Sequence, residues 1–150
     1  MTNNKIITLS MAAILAVSLI ASTNFEVAVA QEKIEGKLTS PTEDNSLYGG
    51  EETGTIQIEY NENDILISAK LNMPPSEGMV YEGWLVDTNL GYALSTGQLD
   101  NNNGQIFEQG MVNPYIYDVY VITEEPVEDK DPKPNAIHVG GIKIPSPFGQ

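Results

Sequence analysis

The sequence predicts an all-β fold, an antiparallel β-sandwich of about seven strands. Three observations carry that expectation. Beyond residue 52, apolar and polar residues alternate at period two in one run after another. Clusters of Gly, Pro, Asn and Asp interrupt those runs every ~8–12 residues. No segment after residue 30 repeats its apolar positions at the helical period.

The elements follow in order. In TGTIQIEY, Ile56, Ile58 and Tyr60 alternate with Thr55, Gln57 and Glu59, which marks a half-buried strand. Asn61 to Asn63 turns the chain into DILISAKL, where Ile65, Ile67, Ala69 and Leu71 share one face. Met73-Pro74-Pro75 ends that strand, since proline cannot donate to a ladder. Val80 to Asp87 carries bulk on both faces, which places it centrally. Thr88 to Gly91 is a turn, and Tyr92 to Leu99 is a strand with small residues on one face. Asp100-Asn-Asn-Asn-Gly104 reads as a hairpin turn, because Asn-Gly accepts positive φ. QIFEQG returns as a short strand, and Tyr115 to Thr123 is rich in strand-forming aromatic and β-branched residues. EEPVEDKDPKPN makes a charged loop before a last strand, AIHVGGIKI. Such a series suits an immunoglobulin-like sandwich over residues 53–144, with 145–150 as a tail.

Residues 1–52 are set apart. A lysine at position 5, an apolar run from Ile6 to Ala21 and the small residues Ala28 to Ala30 have the layout of a secretory signal peptide. The run is shorter than the ~20 residues a bilayer span needs, so cleavage between Ala30 and Gln31 is favoured over a retained anchor. Residues 31–52 are polar and without period, and read as a flexible acidic lead. The expected location is secreted or extracytoplasmic, with no membrane attachment after cleavage.

Charge narrows the partners. The net charge is −14, there is no arginine, and the sum stays at −14 after loss of Lys5 and Glu26 with the leader. Such a surface repels phosphate backbones and anionic headgroups, which argues against nucleic acid and membrane surfaces. The expected partner is a protein or a small molecule.

Few constellations suit chemistry. The one histidine, His138, stands among apolar strand neighbours, and there is no cysteine, so a nucleophilic triad and zinc or copper sites lack their parts. No residue is assigned a catalytic role and no cofactor is expected. Calcium needs oxygen ligands. The Asp100 turn lacks the spacing of a calcium loop, which leaves Glu124, Glu125, Glu128, Asp129 and Asp131 as a candidate for Ca²⁺ or a basic partner. Read as a structural feature, the same run is a solvated loop. Trp84, Tyr81 and Leu85 are assigned to the core, with Trp84 packed between the two layers. Tyr115 and Tyr117 share one strand face and Tyr120 the other, so that one of the two faces is free to form an aromatic patch.

An ordered set of residues resembles a known family. Tyr81, Trp84, Leu85 and Val86 on one strand are followed by Ser95 and Gly97, by the Asp100…Gly104 hairpin, by Thr123, Glu125 and Pro126 at a strand end, and by Pro134 in a loop. This order is similar to the C-terminal extracytoplasmic domain of anti-sigma-K factors, over residues 55–144. That family usually follows Glu-Pro with a Gly-Gly turn, where this chain has VEDKDPKP. The chain as read carries neither the sigma-binding region nor the membrane helix, so the resemblance implies the outer domain exported by itself, without sigma-factor inhibition. The function expected is a non-enzymatic binding or sensing module. The alternatives are a structural or cell-surface assembly protein and a hydrolase using paired carboxylates.

Overall fold

The computed structural model describes residues 32–44, 46–61, 64–110 and 113–145. The predicted leader, its cleavage at Ala30 and Gln31, and residues 146–150 lie outside the described residues. Eight strands form one antiparallel sheet: β1 (Glu32–Thr39), β2 (Glu52–Asn61), β3 (Asp64–Leu71), β4 (Met79–Asp87), β5 (Tyr92–Gln98), β6 (Gly104–Gly110), β7 (Val119–Pro126) and β8 (His138–Lys143). Their order in the sheet is β5-β4-β7-β8-β1-β2-β3-β6. The first and last strands in that order, β5 and β6, are consecutive in the chain, so the sheet curls until it almost closes into a barrel.

The alternation in the sequence explains the interior. Ile56, Ile58 and Tyr60 of β2 and Ile65, Ile67, Ala69 and Leu71 of β3 all point inward and are buried. Tyr81 and Leu85 of β4 and Tyr120 and Ile122 of β7 meet them from across the barrel. Full burial of each large apolar side chain contributes about 1.5–3 kcal/mol, and the chain has no disulfide to add to this.

The near-closure rests on one side chain. The Gln105 amide of β6 donates to the backbone oxygens of Thr96 and Gly97 in β5, both at 2.7 Å. Its oxygen accepts from Thr96 Oγ1 at 2.9 Å and from the Tyr120 hydroxyl at 2.7 Å. Gly83 makes room for this knot, since a Cβ there would stand 2.6 Å from Gln105 Oε1. At the opposite seam β1 meets β8 through a single residue pair, Thr39 with Gly141.

Several expectations need correction. The all-β antiparallel class holds, but there are eight strands and they form one nearly closed sheet. The added strand is β1, inside the segment expected to be a flexible lead, and it pairs with β2 along its whole length. Its inward positions are Ile34, Gly36 and Leu38, too few large residues to stand out as a period. Gly36 is small because Ile142 Cδ1 fills the place of its Cβ, at 2.5 Å.

Trp84 is buried at 2 % exposure, yet it lies on the outer face of β4 with Val119 and Val121, away from the main core. Leu47 and Tyr48 of the β1–β2 connection pack against this outer cluster. Tyr81 and Leu85 are in the main core as expected. β7 begins four residues later than expected, because Pro114–Ile116 forms a 3-10 turn whose Tyr115 N–H donates to Asn113 Oδ1 at 3.1 Å. Tyr115 and Tyr117 pack against the same core as Tyr120, so these tyrosines do not form an exposed patch.

Candidate functional site

β7 runs on through Glu124 and Glu125, which pair with Tyr81 and Val80 of β4. Both carboxylates were expected in a solvated loop, and both are buried. As strand neighbours they point to opposite faces. Glu128, Asp129 and Asp131 lie exposed in the turn that follows, where Asp129 Oδ1 accepts from the Asp131 N–H at 2.8 Å. The five acids of the calcium candidate therefore do not converge. No group of three or more His, Cys, Asp or Glu side chains among the described residues is placed to hold a metal ion.

Glu125 faces outward beside Trp84. The Trp84 Nε1–H donates to Thr123 Oγ1 at 2.9 Å, and the Thr123 hydroxyl donates in turn to Glu125 Oε1. The same oxygen accepts from the Asn135 N–H at 2.8 Å. This relay satisfies the indole N–H and one carboxylate oxygen at 2 % and 1 % exposure, while Glu125 Oε2 is buried without a hydrogen-bond partner. His138 stands on the neighbouring strand, and burial pushes its imidazole below the ordinary value, opposed by the Glu125 charge.

Glu124 faces inward at the end of the barrel that holds the β3–β4 connection. Its carboxylate accepts from the Ser76 N–H at 2.8 Å and from Ser76 Oγ at 3.0 and 3.1 Å. A cavity of about 180 Å³ opens there, walled by Leu71, Met73, Pro74 and Val139, with Thr53, Ser76, Tyr81 and Glu124 supplying its polar atoms. The Tyr81 hydroxyl donates to Pro74 O at 3.0 Å, and burial, then the Glu124 charge, pushes its phenol up.

A larger concavity lies elsewhere. A trough of about 670 Å³ crosses the outer face of β1, β2, β3 and β6. Register explains its contents. Glu35, Gln57, Ser68 and Ile106 are successive cross-strand partners and form one row; Lys37, Thr55, Lys70 and Gly104 form the next. Partners in a row point to one face. Asp100 and Asn102 of the hairpin turn close one end of the trough. Asp100 is committed to that turn, its Oδ1 accepting from Asn102 N–H at 2.8 Å and Gly104 N–H at 3.0 Å. Ile106 is 81 % exposed on this polar surface.

The trough was not among the sequence candidates. Its signal was present as the polar half of each alternating run, but which polar faces stand side by side depends on strand order. The Glu124 cavity likewise needed the Ser76 contact, 48 residues distant in the chain. No helix among the described residues is long and apolar enough to cross a membrane. Comparison with protein families, with curated proteins and with solved structures gave no match.

Proposed function

We propose that this chain is a secreted, non-enzymatic binding or sensing module whose ligand lies in the outer trough. The observation that carries this reading is the pair of polar rows on four rigid strands. Glu35, Gln57, Thr55, Ser68 and Lys70 offer carboxylate, amide, hydroxyl and ammonium groups within one concave face, and Ile106 adds an exposed aliphatic contact. A mixed set of donors and acceptors matches a polyhydroxylated molecule, and a saccharide chain is the class that fits best. The ordered residues that resemble the outer domain of anti-sigma-K factors favour the same extracytoplasmic role. The single residue pair that joins the halves β5-β4-β7-β8 and β1-β2-β3-β6 in the backbone ladder supports reading the curled sheet as two layers.

The buried carboxylates favour binding over hydrolysis. Glu124 and Glu125 sit on opposite faces and so cannot flank one bond, and Asp87 is occupied by the turn amides of Asn89 and Leu90 at 2.9 and 3.1 Å.

The test is a melting-shift screen with soluble oligosaccharides, repeated on the double variant Gln57→Ala/Lys70→Ala. A saturable shift in the native protein that the double variant loses supports the trough. A shift that survives in the double variant places the ligand elsewhere, and a flat saccharide screen rejects the ligand class.

A further inference from the structure

We propose that the cavity beside Glu124 is a receptor for a primary alkylammonium group, a site separate from the outer trough. The case rests on what the cavity presents once its internal hydrogen bonds are counted. Every side-chain hydroxyl hydrogen on its wall, and the Ser76 N–H, is already used. The Tyr81 hydroxyl gives its proton to Pro74 O, the Ser76 N–H and hydroxyl give theirs to Glu124, and Thr53 Oγ1 donates to Leu38 O at 3.3 Å. Lone pairs on the Glu124 carboxylate, Tyr81 Oη and Ser76 Oγ are left facing the space. An ammonium carries three donors and no acceptor, so it complements a wall of acceptors, whereas a hydroxyl or amide brings lone pairs that find no donor.

Charge points the same way. Glu124 is 8 % exposed, and the ion pairs among the described residues involve only Lys33 and Lys37, each with acids other than Glu124. A buried carboxylate is costly unless it is paired, so a cationic ligand offsets a penalty that the fold already carries. The net charge of −14 raises the local concentration of cations.

Size and walls set the chain. The volume of about 180 Å³ holds the equivalent of about six waters at ~30 Å³ each. That admits an ammonium on a short alkyl chain, whose methylenes would lie against Leu71, Met73, Pro74 and Val139. A divalent metal ion is disfavoured because Glu124 is the one carboxylate in the lining.

The experiment is an NMR titration of the full chain at fixed ionic strength. The probes are n-butylammonium chloride and Nα-acetyl-lysine N-methylamide, with n-butanol and calcium chloride as controls. Expected are saturable shifts at the amides of Ser76, Glu124 and Val139 with butylammonium and none with butanol or calcium. Glu124→Gln should weaken binding about tenfold or more, through loss of a charge-assisted contact. Met73→Lys, at a rim position 63 % exposed and so tolerant of change, should block the response by filling the cavity with its own ammonium. A response to the lysine derivative as well as to the free amine identifies a protein side chain as the source; a response to butylammonium alone identifies a small amine. The proposal is overturned if butylammonium shifts fail to saturate, if butanol or calcium reproduces them at the same concentration, or if folded Glu124→Gln or Met73→Lys protein binds as tightly as the native chain.

Discussion

Gln105 is the residue on which barrel closure depends. Replacing it with alanine strands the carbonyls of Thr96 and Gly97 and removes the acceptor of two buried hydroxyls. Gln105→Ala should lower unfolding free energy by about 2–4 kcal/mol, read as a lower urea midpoint. Gln105→Glu keeps the size but aims an oxygen at two carbonyls, and should be at least as damaging. An alanine variant within a few tenths of a kcal/mol of native would mean that β5 and β6 are held by something else. His138 gives a second test. Its folded-state value lies below the ordinary 6.5 because burial disfavours the cation. Between those two values the unfolded chain binds more protons than the folded one, so stability falls as pH drops below about 6.5. Urea midpoints at pH 7.5 and 5.5 should differ in that direction, and His138→Gln should flatten the difference.

At the scale of elements, the β1–β2 connection acts as a cover. Leu47 and Tyr48 pack against the cluster of Trp84, Val119 and Val121, and Leu47 O stands where a Cβ on Gly141 would come within 2.6 Å. Leu47→Asp should lift the cover while leaving the main core intact, giving red-shifted tryptophan emission and faster acrylamide quenching with little loss of far-UV β signal. Unchanged emission would show that the indole is enclosed by other groups. The β7–β8 connection makes an opposite prediction. Its acids are dispersed, so millimolar calcium or EDTA should leave the melting temperature unchanged, and a calcium-dependent rise would require Glu128, Asp129 and Asp131 to gather.

These two elements also show what could be read in advance. β2 and β3 were legible because their inward residues are large and strictly alternate, and β4 to β6 because turn residues bound each run. β1 was not, since Gly36 interrupts its apolar face to admit Ile142. The late start of β7 was hidden because Tyr115 and Tyr117 have strand propensity, yet Pro114 opens a 3-10 turn. The burial of Glu124 and Glu125 was hidden for a different reason: the loop residues that hydrogen-bond to them, Ser76 and Asn135, follow no pattern.

For the whole molecule, closure and recognition are one problem. The sheet curls so that its inward rows fill the barrel, and the same strand order sets the outward rows of β1, β2, β3 and β6 side by side along the trough. That surface exists only if β1 is a strand, because Glu35 forms one of its walls and the Gly36 backbone part of its floor. Amide hydrogen exchange on the full chain reads this directly. The amides of residues 33–38 that bond to β2 should exchange as slowly as the central amides of β2, in the alternating pattern of an antiparallel ladder. Exchange across 33–38 at the rate of an open chain would contradict the strand, and with it the trough and the function assigned to it.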